Sequence, residues 1–196
     1  MFHRGVLLLL LLLWSGLLAA CRAQSSAVSD SATRPAILGS LEKGKYSNPM
    51  IGFELQLDPA CTFADEARAI AWSTQFQQRL SFSLRCGDNM VLLSSLPLHS
   101  DETVNLKRDA DVSLQGAMDG GGFKRHGRWQ NRTADGIEVL VQELTRHGDS
   151  GQELGFYDAF MVGRRYVSIL AIGPEANKEE LSQVVAKLRI EPKPAK

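Results

Sequence analysis

The chain has 196 residues, room for one domain with terminal extensions. Its 22 Lys and Arg balance 22 Asp and Glu, so no global field draws it to nucleic acid or to an anionic membrane. At 44% hydrophobic and 22% charged residues it has the composition of a globular protein, which excludes a wholly disordered chain.

Met1 to Arg4 is a short positive segment, and Gly5 to Leu18 is a fourteen-residue apolar run. As a helix that run spans about 21 Å, short of the roughly 30 Å hydrocarbon core of a bilayer. Residues 1–20 therefore read as a secretory signal peptide and not as a spanning helix. Leu18-Ala19-Ala20-Cys21 resembles the lipobox of bacterial lipoproteins. That resemblance implies cleavage before Cys21 and a diacylglycerol on its thiol, with ordinary signal-peptidase cleavage, for example after Ala23, as the alternative. Two or three acyl chains hold a protein durably, each buried methylene adding about 0.8 kcal/mol. Arg22, in place of the Asp that commonly retains lipoproteins at the inner membrane, points to the outer membrane where a cell has two.

Residues 21–44 are expected to form a flexible tether, rich in Ser, Ala and Thr, with Ile37, Leu38 and Leu41 docking near its end. The folded domain is expected over 45–191. Ile51, Phe53, Leu55 and Leu57 alternate with Gly52, Glu54 and Gln56, a half-buried strand. Thr62 with Asp65 predicts a capped helix through Phe63, Ala67, Ile70 and Ala71. Strand is expected from Arg79 to Cys86, with 72–78 undecided. Gly87-Asp88 turns into a second strand, Met90 to Leu96.

Cys61 and Cys86 remain as an even pair in an oxidising compartment, which predicts a disulfide, with two buried free thiols as the alternative. A helix is expected over Thr103–Met118, ended by Gly120-Gly121-Gly122. Strands follow at Ile137–Leu144, Leu154–Val162 and Tyr166–Ile172, the last two joined at Gly163-Arg164. Leu181, Val184, Val185 and Leu188 make an amphipathic helix, and residues 192–196 a tail. Hairpins with helices between them predict an α+β fold, an antiparallel β-sheet flanked by helices in an α/β/α sandwich.

Tyr46-Ser47-Asn48-Pro49-Met50-Ile51-Gly52-Phe53-Glu54-Leu55 followed by Pro59 resembles the opening of PsbP-like domains. Gly163-Arg164-Arg165-Tyr166-Val167, leading into a last strand, a helix and a short Leu-x-Ile, resembles their close. The resemblance implies the PsbP-like (Mog1p/PsbP-type) fold and a habit of binding and positioning larger assemblies. It carries over no functional residue.

The remaining motifs are weak. Gly148-Asp149-Ser150-Gly151 matches a serine-protease tetrapeptide but lacks a preceding His motif, so it reads as a turn. His99, Asp101 and Glu102, with His126 and His147 elsewhere, lack metal spacing, and no metal or cofactor is expected. Asn131-Arg132-Thr133 has only the form of a sequon. Tyr157, Phe160 and Tyr166 read as strand core. The candidate anion or partner loop is Lys124, Arg125, His126 and Arg128 behind the three glycines, although the P-loop spacing is missing.

These features together predict an exported module, lipid-anchored at the cell membrane. It is expected to be non-catalytic, to bind or assemble an envelope protein or complex, and not to bind nucleic acid. Alternatives are a hydrolase or transferase whose site assembles only in three dimensions, and a small-ligand carrier.

Overall fold

The computed structural model describes residues 39–75, 80–98, 103–148 and 151–190. The signal peptide, Cys21, the cluster His99, Asp101 and Glu102, the pair Asp149 and Ser150, and the tail 192–196 lie outside the described residues. So does most of the expected tether.

In chain order the strands β1 (Ser40–Glu42), β2 (Lys45–Asn48), β3 (Phe53–Gln56) and β4 (Thr62–Phe63) lead to helix α1 (Glu66–Gln75). Strands β5 (Leu80–Cys86) and β6 (Asn89–Pro97) precede helix α2 (Leu106–Gly121). Then come β7 (Lys124–Ala134), β8 (Ile137–Gly148), β9 (Gly151–Val162), β10 (Arg165–Pro174), helix α3 (Lys178–Ala186) and β11 (Arg189–Ile190). A seven-stranded antiparallel sheet runs β4-β5-β6-β10-β9-β8-β7, and a four-stranded one runs β1-β2-β3-β11. No helix among the described residues is long and apolar enough to cross a membrane.

The large sheet buries both faces, and β10 shows how. Val167, Ile169 and Ala171 join one core with Leu181, Val184 and Val185 of α3 and with Tyr46, Phe53 and Leu55 of the small sheet. Tyr166, Leu170 and Ile172 point the other way, into a second core with Ala110, Leu114 and Ala117 of α2. The alternation follows from the two-residue period of a strand. A strand buried on both sides reads as a continuous apolar run, as Leu154–Val162 does.

Several elements depart from expectation. Ser40–Glu42 falls within the expected tether yet pairs with β2, with Leu41 packed against the core. The turn between them is possible because Lys43 and Gly44 take positive φ, +49° and +77°. A side chain on Gly44 would meet the Leu57 carbonyl at 2.6 Å.

Thr62 does not cap the first helix. Asp65 does, accepting from the Arg68 N–H at 2.9 Å. Thr62 and Phe63 pair instead with Arg85 and Leu84, because the disulfide between Cys61 and Cys86 fixes the adjacent backbone against β5.

The helix expected over Thr103–Met118 starts and ends three residues later. Asn105 caps it by accepting from the Arg108 N–H at 3.0 Å. Gly120 and Gly121 stay helical, and Gly122 ends the helix in the left-handed region (φ +69°), its N–H bonded to the Met118 carbonyl.

Candidate functional site

The expected basic loop is a strand. Lys124, Arg125, His126 and Arg128 lie on β7, an edge strand of the large sheet, and all four are exposed. Pairing with β8 is regular at His126↔Glu143 and resumes at Gln130↔Val141. Gly127, Arg128 and Trp129 therefore stand opposite the single residue Gln142, a bulge that Gly127 permits with φ +74°. Gln142 is 1% exposed, and its Nε2 donates to the His126 and Glu143 carbonyls, each at 2.9 Å. Its Oε1 is buried with no hydrogen-bond partner.

One carboxylate braces the bulge against α2. Asp111 accepts from Arg125 Nη2 at 2.8 Å, Trp129 Nε1 at 2.8 Å and Lys107 Nζ at 2.6 Å. Lys107 first, then Trp129 and Arg125, hold its carboxyl well below the usual carboxylate range. The Arg125 guanidinium stacks 5.4 Å from the Trp129 ring, and that ring meets Tyr157 edge-on at 6.2 Å. Lys124, His126 and Arg128 make no side-chain hydrogen bond or ion pair among the described residues. The nearby acids are engaged elsewhere: Glu143 pairs with Lys178 at 2.8 Å, and Glu138 accepts from Asn131 at 3.0 Å. The result is an outward-facing cationic edge on a fixed backbone.

The opposite face of β7 carries Arg132, which donates both to Asp158 Oδ2 and to the Val185 carbonyl near the end of α3. Asp158 is fully buried, and its Oδ1 has no hydrogen-bond partner. Desolvation outweighs the attraction of Arg132 and pushes this carboxyl up to about 6. Behind α2, the Tyr157 and Tyr166 hydroxyls bond each other at 2.9 Å, and burial raises both phenols. Burial likewise raises Tyr46, whose oxygen accepts from Asn48 at 2.9 Å.

Solvent-open clefts lie elsewhere among the described residues. The first, about 300 Å³, is lined by Arg68, Trp72, Arg85, Asp88, Asn89 and Met90. Two more, of about 250 and 330 Å³, flank the small sheet and α3. His147 stands exposed at the end of β8, apart from His126. Among the described residues no three His, Cys, Asp or Glu side chains gather as a metal site. Tyr157, Phe160 and Tyr166 are core, as expected, but divide between the two faces of the sheet.

Asp111, Trp129, Gln142, Arg132 and Asp158 were not legible as a site. Only Asp158 left a signal, a carboxylate inside the apolar run Leu154–Val162, which requires a cationic partner.

No family model matches the sequence, and no curated protein matches it. Among solved structures, the chain superposes on cyanobacterial PsbP (CyanoP) from Synechocystis with a TM-score of 0.58 at 12% identity, over 86% of this chain and 98% of that one. A protein from Bacteroides thetaiotaomicron superposes with a TM-score of 0.51 at 8% identity, over 78% of this chain. The match spans 50% of that longer protein. A weaker likeness, with a TM-score of 0.44 at 13% identity, covers 71% of this chain and 83% of LpqN of Mycobacterium tuberculosis, which is involved in cell envelope biogenesis. The fold is PsbP-like, as the stretches Tyr46–Leu55 and Gly163–Val167 imply.

Proposed function

We propose that the chain is an exported lipoprotein, anchored through Cys21, whose domain is a non-catalytic binding or assembly module for an envelope protein or complex. The observation that carries this reading is where the shifted ionisable groups sit. Asp158, Tyr46, Tyr157 and Tyr166 are enclosed and committed to structural partners, Asp111 is held by three donors and Lys178 pairs with Glu143, and none lines these clefts. Catalytic acids and bases need their altered affinity for protons at a cleft. Among the described residues Lys124 and Arg128 of β7 stand exposed without an ionic partner, an arrangement that suits contact rather than proton transfer.

The PsbP-like fold supports the reading as a scaffold, and the lipobox-like run supports its address, the outer membrane where the cell has two. Helix α2 on one face, with α3 and the small sheet on the other, is how we read the α/β/α sandwich. Crosslinking in cells, followed by capture and mass spectrometry, tests the function. A specific envelope protein recovered with the wild type, and lost with Cys21→Ser, is the expected result. Background alone in both samples would overturn the binding reading.

A further inference from the structure

We infer that the bulged edge of β7, through Lys124, His126 and Arg128, docks on the phosphate headgroups of an anionic lipid surface and fixes which way the tethered domain faces. The inference rests on the membrane-anchored reading and adds to it an orientation.

The geometry is that of a surface contact. β7 ends the sheet, so one row of its backbone groups has no neighbouring strand among the described residues. At the bulge Gly127, Arg128 and Trp129 also lack ladder partners on β8. Lys124 and His126 precede the bulge and Arg128 lies within it, and among the described residues none of the three side chains has an ionic partner. The acids that could neutralise them are occupied, Asp111 by three donors and Glu143 by Lys178. Phosphate is the natural acceptor for such an edge, and a bilayer presents it as a plane.

An acidic protein is the less favoured occupant. Protein interfaces concentrate their energy in Trp, Tyr and Arg anchors seated in desolvated pockets, so a cation serves there when water-excluding contacts pack around it. The large exposed apolar side chains (Met50, Phe63, Ile70, Leu96, Val104 and Val112) all lie off β7. The indole of Trp129, which is on β7, is turned inward to Asp111 and Tyr157.

Reach and strength are also consistent. Eighteen residues, Arg22 to Gly39, separate Cys21 from β1. Eighteen residues reach at most about 60 Å when fully extended, well beyond the radius of the domain, so the length of the segment does not dictate which face meets the surface. Each cation near an anionic surface contributes roughly fivefold, so Lys124 and Arg128 together contribute roughly twenty-fivefold. That factor is too small to recruit a free protein. It is enough to orient one already held at the surface, where the second contact is effectively intramolecular.

The test uses the mature chain extracted from cell membranes and reconstituted with vesicles. One set is phosphatidylcholine alone, and the other is equal parts phosphatidylcholine and phosphatidylglycerol. The readout is the rate at which a water-soluble reagent acylates Lys124, with the exposed Lys187 as internal reference. Lys124 is expected to react several-fold more slowly on anionic vesicles, to recover in high salt, and to lose most of that protection with His126→Gln/Arg128→Gln. Equal rates on both vesicles would overturn the inference, as would slowing shared with Lys187. Protection in intact cells without protection on vesicles would assign the edge to an acidic protein instead. Intact mass of the same sample reports the lipid on Cys21, so failure of the anchor and failure of the contact are separately visible.

Discussion

Replacing Asp158 by Asn is the sharpest test of the energetics argued above. The carboxylate is 0% exposed, Arg132 reaches one oxygen and the other has no partner. Burial wins over the guanidinium, and the group titrates near 6 instead of 3.8. An acid raised in this way holds its proton more tightly in the folded than in the unfolded chain. Its stabilising contribution is therefore complete below the unfolded value and is lost as pH rises through the folded one. A rise from 3.8 to about 6 corresponds to about 3 kcal/mol. The Asp158→Asn variant should thus match the wild type near pH 4 and exceed its stability by up to about 3 kcal/mol near pH 7. Urea unfolding of both proteins across that range measures the difference, and subtraction cancels the other titrating groups. A gap that shrinks or reverses with rising pH would show that Arg132 dominates and that the desolvation argument is wrong.

Three further predictions rest on single features. Replacing Cys61 and Cys86 together by Ala releases a loop with a sequence separation of 25, and should cost about 3 kcal/mol in denaturant unfolding by the chain-entropy model. A difference near zero would mean that the reduced chain keeps β4 against β5 without the bond. Asn105→Ala removes the cap of α2 and should lower stability by about 1 kcal/mol, while Asn105→Asp should hold it. Gly173→Ala places a methyl group 2.0 Å from Asn89 Oδ1, the oxygen that accepts from Asn177. It should lower stability by about 2 kcal/mol or more, because relieving the clash strands a buried amide, and an unchanged melting temperature would contradict the packing of β10 against Asn89.

What the sequence made legible follows from which elements bury a periodic face. Val184 and Val185 fall on one side of α3, and Val167, Ile169 and Ala171 on one side of β10, so both elements stood out as patterns. The hairpin turn at Gly163-Arg164 was legible because Gly163 takes φ +57°. The start of α1 was misplaced because Thr62 and Asp65 are both good caps, and the choice between them was made by a contact 25 residues away in sequence. No local rule contains that information. The two residues of β11 were legible only through the resemblance, since Arg189 and Ile190 pair with Glu54 and Phe53 across the whole domain.

The edge strand β7 illustrates a different limit. Its sequence, Lys124 to Ala134, is solvent-facing along nearly its whole length, so alternation has no core to report on, and a run with Gly, three Arg and Lys reads as a loop. What makes it a strand is its partner β8, whose Val139, Leu140 and Leu144 are buried and fix the register. The bulge then arises because Gln142, not an apolar residue, stands opposite Gly127–Trp129 and satisfies the carbonyl that a ladder bond would have taken. Exposed charge, a bulge and the end of a sheet are the devices that keep an edge from pairing with another chain. Those same features present fixed cations to solvent with their neighbouring acids already engaged. The element least visible to pattern reading is therefore the one best suited to meet a surface, since a contact with something outside the chain leaves its complement out of the sequence.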